Sequence, residues 1–224
     1  MADLRILPFK TRQKTRLMPA PPPLNSAPTC IAVFGPVRSG KTLAVSSIAA
    51  RFYKFPYIVI LSPSGHTDAS LEPLRELGAL VFDNPGDFDA VVRELVEHQK
   101  DQLEEEREHI LIVVDDSLGV LQPNSEVARL SSRFRHFMIS LIYTAQLYRQ
   151  LPPVVRINAE SFLLFRTHNG KEIAKIEEEF SGAYGADFIQ KYRAATSEKH
   201  SFIFINQKTG ELFQNLTQKV GINV

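Results

Sequence analysis

Apolar residues in this chain fall into short unbroken runs, and between the runs they recur at helical spacing. TCIAVF at 29–34 is the first run; YIVILS (57–62), ALVFD (79–83), HILIVVDD (109–116), MISLIYTAQ (138–146), SFLLFR (161–166) and SFIFINQ (201–207) follow. Runs this short and this rich in β-branched and aromatic residues predict strands buried on both faces. The helical spacing predicts a helix over about 41–53, a short one ending at Leu77, and a long one running from an Asp87 cap to Arg107, with Val91, Val92, Leu95 and Val96 on its apolar stripe. The charged stretch DQLEEEREH at its far end reads as a solvated face. A turn at Lys208 to Gly210 predicts a C-terminal hairpin. Strands separated by helices make this an α/β chain, with a mostly parallel central sheet covered by helices on both faces.

Composition narrows the picture. The 224 residues, 44% hydrophobic, suffice for one well-buried domain. Its start is expected near Thr29, because residues 1–28 have a different character. The first 18 carry Arg5, Lys10, Arg12, Lys14 and Arg16 against the single acid Asp3, and PAPPPLNSAP (19–28) then reads as an extended proline spacer. This divides the chain into a basic, flexible arm over 1–28, suited to contacting DNA or a capsid partner, and a domain over 29–224. With 26 basic against 25 acidic residues, any binding to nucleic acid must come from local patches. The lone cysteine, Cys30, leaves no internal disulfide, no apolar run approaches the length of a membrane span, and the amino terminus has no signal-peptide core. A soluble, intracellular protein is expected.

Candidate chemistry begins at GPVRSGKT, residues 35–42, which matches the phosphate-binding pattern G-x-x-x-x-G-K-T in its required setting, after a strand and before a helix. Gly35 and Gly40 let the backbone turn its N–H groups toward an anion, and the helix beginning near Lys41 points its positive end at the same place. On this reading Gly35, Pro36, Val37, Arg38, Ser39, Gly40, Lys41 and Thr42 form the nucleotide loop, with Lys41 reaching the β- and γ-phosphates and Thr42 a ligand of Mg²⁺. ILIVVDD supplies the second requirement, a carboxylate at the end of another parallel strand. Asp115 is the expected metal ligand, and Asp116 the group that orients or deprotonates an attacking water. The plainer alternative makes Asp116 a turn residue. Gln146, leaving the strand MISLIYTAQ, is placed to sense the γ-phosphate or the water, although a glutamine at a strand end is usually just solvated.

Taken together, GPVRSGKT, ILIVVDD and SRFRHFMISLIYTAQLYRQLPPVVRINAESFLLFR resemble the viral genome-packaging ATPases of the FtsK–HerA superfamily, in the poxvirus-type branch found also in virophages and membrane-containing phages. The third segment is the most specific: an Arg-His pair, an apolar strand ending in Thr-x-Gln, a proline, an Arg-x-Asn and a second strand ending in arginine. The resemblance spans about 29–214. It implies a RecA-like (ASCE) P-loop fold with the Gln146 strand between the P-loop strand and the Asp115 strand, and ATP with Mg²⁺ at the site. It further implies a ring of five or six copies driving double-stranded DNA into a preformed capsid, with capsid or portal vertex proteins as partners, in the host cytoplasm, a viral factory or the virion. The superfamily usually carries Asp-Glu where this chain has Asp115-Asp116, so the shorter side chain must reach its water across a larger gap. In such rings an arginine from the neighbouring subunit completes the site. Arg135, of the Arg-His pair, is the first candidate, with Arg133 and Arg166 as alternatives; for each the bland reading is a surface ion pair or a contact to a DNA phosphate.

Two other classes share some of these features. A nucleoside or nucleotide kinase also needs a P-loop but normally adds an arginine-rich lid, and a capsid-vertex assembly protein could bind ATP without turnover. A GTPase is disfavoured, because the chain contains no Asn-Lys-x-Asp.

Overall fold

The structure, a computed structural model, describes residues 28–52, 54–116 and 124–220. All of the expected arm except Pro28 lies outside the described residues. The elements run β1 (Cys30–Phe34), α1 (Lys41–Phe52), β2 (Tyr57–Leu61), α2 (Glu72–Glu76), β3 (Leu80–Phe82), α3 (Pro85–Asp101), β4 (Ile110–Val114), α4 (Glu126–Leu130), β5 (Ile139–Ala145), α5 (Pro153–Asn158), β6 (Ser161–Phe165), α6 (Gly170–Tyr184), α7 (Phe188–Ala195), β7 (Phe202–Asn206), β8 (Glu211–Gln214) and β9 (Gln218–Lys219).

Among the described residues one sheet of nine strands forms, in the order β3-β2-β4-β5-β1-β6-β7-β8-β9. The first six are parallel neighbours, and β7, β8 and β9 add on antiparallel. The unbroken apolar runs are explained by burial on both sides: every residue of β1, β4, β5, β6 and β7 is buried. Successive side chains on β1 enter different cores. Cys30, Ala32 and Phe34 pack with residues of α3, α4, α5, α6 and α7, whereas Ile31 and Val33 pack with α1 and α2. As the resemblance implies, β5 lies between β1 and β4, with Leu141 opposite Cys30 on one side and Ile112 on the other.

The long helix differs from its expected bounds. Asn84, not Asp87, is the cap, its side chain accepting from the Gly86 N–H at 2.8 Å with Pro85 at the first helical position. The helix also stops at Asp101, because the charged stretch beyond has no apolar stripe to bury and other bonds claim its backbone. The fully buried Gln99 amide donates to the Glu108 and Phe137 carbonyls at 2.6 and 2.7 Å, and Arg107 Nε donates back to the Gln99 carbonyl at 2.8 Å.

Residues 167–200, to which the sequence pattern assigns no element, hold α6 and α7. Their rings stack against each other, Phe180 on Phe188 at 5.5 Å and Tyr184 on Phe188 at 5.9 Å. A single crossover helix would carry the chain to the opposite edge of the sheet and make the next strand parallel. Two helices packed together bring it back to the edge it left, so β7 runs antiparallel. The hairpin expected at Lys208 to Gly210 joins β7 to β8.

Candidate active site

Open parallel sheets offer ligands the carboxyl ends of their strands, and here β1, β4 and β5 end side by side. Gly35 continues β1, its N–H donating to the Ala145 carbonyl at 3.1 Å, and the loop then turns directly into α1. A Cβ at Gly35 would lie 2.6 Å from both Phe165 Cβ and Ser39 Oγ, so only glycine fits against β6 there. Gly40 has φ +105°, a backbone that L side chains rarely adopt.

Lys41 is 4% exposed. Its ammonium folds over the loop, donating to the Pro36 carbonyl at 3.3 Å and standing 3.7 Å from Asp116 Oδ2. Asp115, 3% exposed, receives three hydroxyls: Thr144 at 2.8 Å, Thr42 at 3.3 Å and Ser62 at 3.2 Å. Burial is the largest influence on its carboxyl and pushes the pKa up; the Thr144 bond pulls it down, the Asp116 charge pushes it up, and Ser62 and Lys41 pull it down. The balance stays above the ordinary aspartate value. A carboxylate that remains costly to ionise, although three donors reach it, is stabilised by any cation beside it.

Asp116 has φ +48°, in the left-handed region that aspartate tolerates better than most side chains. Its N–H donates to Thr144 Oγ1 at 2.9 Å, and its Oδ2 accepts from the Gln146 amide at 3.4 Å. The sequence-predicted Lys41, Thr42, Asp115, Asp116 and Gln146 are therefore brought into one connected group. A cleft of about 410 Å³ opens over residues 37–43, with Ser64, Asp68, Asp116 and His200 also in its walls.

The three arginines separate. Arg166 leaves β6 on the loop's own side of the sheet, exposed, in a second cleft of about 480 Å³ that it shares with Arg38, His168 and Lys199. Arg133 and Arg135 precede β5 and so stand at the opposite edge, about 20 Å away along a seven-residue strand. Arg133 pairs with Glu126 and lies over the Phe137 ring at 5.6 Å. Arg135 lies over Phe134 at 5.0 Å and is held by Glu160 through Nε at 3.0 Å and through Nη2. Lys208, from the β7–β8 turn, reaches the same Glu160 oxygen at 2.7 Å. Burial alone raises the Glu160 pKa, but the bonds from Lys208 and Arg135 outweigh it and hold the carboxyl below its usual value.

Three contributors are given no role by the sequence reading, although Thr144 stands in its Thr-x-Gln motif. Ser62 and Thr144 were visible as hydroxyls interrupting apolar runs near a strand's carboxyl end, where a buried polar group needs a partner. His200 gave no such signal. From the turn before β7 its Nδ1 donates to the Ser39 carbonyl at 3.0 Å, bracing the phosphate loop from a residue 161 positions away.

By sequence, no family model and no curated relative matches the chain. Solved structures do. The genome packaging NTPase B204 of Sulfolobus turreted icosahedral virus 2, in complex with ATP-gammaS, superposes with a TM-score of 0.61 at 17% identity, over 83% of this chain and 96% of that one. The EssC fragment with ATPases 2 and 3 from Geobacillus thermodenitrificans gives 0.58 at 15% identity, over 88% of this chain and 40% of that one. The pCW3 conjugation coupling protein TcpA with ATPgS gives 0.58 at 14% identity, over 88% and 60%. The fold is RecA-like. In the RecA-like sheet the phosphate loop, the paired carboxylates and the strand-end glutamine occupy three adjacent strand ends, as the sequence motifs require. Among the described residues no helix is long and apolar enough to cross a membrane.

Proposed function

We propose that this chain is an ATP-hydrolysing motor that moves double-stranded DNA into a preformed viral capsid, working as a ring of five or six copies against capsid or portal vertex proteins. The observation that carries the reading is the bonded group at the ends of β1, β4 and β5, in which Lys41, Thr42, Asp115, Asp116 and Gln146 converge. Its likeness in fold to a genome packaging NTPase solved with ATP-gammaS supports the same reading.

The loop N–H groups and Lys41 bind the phosphates of ATP, and Thr42 with Asp115 would hold Mg²⁺, which when bound neutralises charge on the β- and γ-oxygens. The raised pKa of Asp115 suits a metal ligand, because an adjoining cation restores the ionised form that burial opposes. Asp116 orients the attacking water and accepts its proton, and Gln146, bonded to the same carboxylate, reports whether the γ-phosphate is present.

The test is ATPase rate with and without double-stranded DNA. Hydrolysis that DNA stimulates, and that Lys41→Ala abolishes without unfolding the protein, is the expected result. A rate indifferent to DNA favours a kinase or a vertex protein, and full activity in Lys41→Ala ends the phosphate-loop reading.

A further inference from the structure

The Thr144 hydroxyl, wholly buried on β5, touches both of the carboxylate residues that follow β4. A hydroxyl has one proton to give and two lone pairs to offer. The proton goes to Asp115 Oδ1 at 2.8 Å in preference to Asp116 Oδ1 at 3.5 Å, and a lone pair receives the Asp116 N–H at 2.9 Å. The two ends of this arrangement are not equally replaceable. Asp115 keeps Thr42 and Ser62 as donors if Thr144 is lost. The Asp116 amide instead loses its acceptor, in a residue whose φ of +48° costs about 1–2 kcal/mol relative to right-handed backbone. The other contacts of the Asp116 carboxylate, to Lys41 at 3.7 Å and Gln146 at 3.4 Å, are too long to hold that backbone in place.

We infer that Thr144 is a positioning residue for hydrolysis, whose hydroxyl fixes the left-handed backbone of Asp116 and so keeps its carboxylate against Gln146. Gln146 follows Thr144 by two residues, just past the end of β5, so the strand end that carries the glutamine also holds the Asp116 backbone through that hydroxyl, beside the longer direct contact of the glutamine amide with the Asp116 carboxylate. The inference rests on the ATPase reading of the site and adds a residue to it. It predicts a split: Thr144 matters for turnover and hardly at all for holding Mg·ATP.

Thr144→Val keeps the shape and β-branch of the side chain and deletes the hydroxyl, while Thr144→Ser keeps the hydroxyl and deletes the methyl. The expected result is that Thr144→Val loses about 10²-fold in kcat, the lower end of what a displaced general base costs. Its nucleotide dissociation constant, measured by titration with Mg·ATP analogue, and its KM should stay within about threefold of wild type, as should every constant of Thr144→Ser. Should Thr144→Val not fold, as judged by its thermal midpoint, the same split is read from Thr144→Ala. A hydroxyl-free variant with wild-type kcat overturns the inference, as does Thr144→Ser failing as badly as Thr144→Val, which would assign the effect to packing of the methyl. An equal loss in binding and turnover also overturns it, since Thr144 would then act through the Asp115 metal site. These three outcomes leave the ATPase reading standing as long as wild type hydrolyses ATP and Lys41→Ala does not; wild type without hydrolysis overturns both.

Discussion

Asp115 and Asp116 are adjacent in sequence and chemically identical, yet their surroundings differ. Asp115 is 3% exposed and receives three hydroxyls, whereas Asp116 lies at the cleft with Lys41 and Gln146 on its outer oxygen. Three hydroxyls fix the orientation of Asp115 and burial keeps it from solvent, which suits it to holding a metal in place, whereas Asp116 faces the cleft where a water can reach it. Asp115→Asn should therefore weaken Mg²⁺-dependent nucleotide binding by at least about tenfold, through loss of a metal ligand. Asp116→Asn should bind Mg·ATP nearly normally and hydrolyse it about 10²–10⁴-fold more slowly, as expected for loss of a general base. Nucleotide titration at fixed Mg²⁺, set beside single-turnover hydrolysis, checks both, and identical behaviour of the two variants would end the division of labour. The site's charged members were legible in the sequence because phosphate and metal chemistry restricts which residue types can serve. The hydroxyls of Ser62 and Thr144 were harder to assign, since one hydroxyl in a buried strand satisfies a local backbone group as readily as a carboxylate.

At the scale of elements, strands were easier to find than helix ends. A strand buried on both faces announces itself by an unbroken apolar run, as in ILIVV of β4, whereas the end of α3 depends on the Gln99 amide capturing carbonyls at Glu108 and Phe137, 9 and 38 positions away. The helices α6 and α7 carry the same kind of signal as α3, with Ile173, Ile176, Phe180 and Tyr184 of α6 recurring at helical spacing on the face that packs into the core, so the pattern reading misses a helix that periodicity does encode. The junction of β4 with β5 gives a pH-dependent prediction. His109, just before β4, shares a 2.7 Å hydrogen bond with Ser140 Oγ and packs its ring on Phe55 at 4.7 Å. Burial lowers its pKa to about 4. The unfolded chain takes up that proton first, near the ordinary value of about 6.5. The contribution of neutral His109 is therefore fully present above about pH 6.5 and is lost as pH falls through about 4, with a total on the order of 3 kcal/mol. Thermal midpoints recorded from pH 7 to 4 should fall less steeply for His109→Gln than for wild type. Parallel curves for the two proteins would mean that His109 does not titrate differently on folding.

For the whole molecule, the question is how one copy could complete the site of another. Arg166 lies beside its own copy's phosphate loop, whereas Arg135 stands at the far edge with Nε and Nη2 bound to Glu160 and its side chain still 58% exposed. A guanidinium anchored on one side and open on the other loses little further entropy in meeting a neighbour's phosphate. Arg135→Ala should bind ATP and turn over about 10³–10⁵-fold more slowly if the residue acts in trans, whereas Lys41→Ala should fail at binding. Mixing the two inactive proteins under conditions of subunit exchange should restore part of the ATPase activity, because some interfaces then pair an intact loop with an intact arginine. No recovery in rings shown by mass to be mixed would exclude Arg135, provided Arg135→Ala keeps a thermal midpoint near wild type despite leaving Glu160 to Lys208 alone. The reversal of chain direction at β7 bears on the same geometry. This strand starts two residues after His200, which holds the phosphate loop, and ends two residues before Lys208, which shares Glu160 with Arg135. Flanked by β6 and β8 and hydrogen-bonded to both, it forms a tie rod about 15 Å long between the two edges. The brace of the phosphate loop and the anchor of Arg135 are thus joined by a covalent path that includes none of β1, β4 and β5.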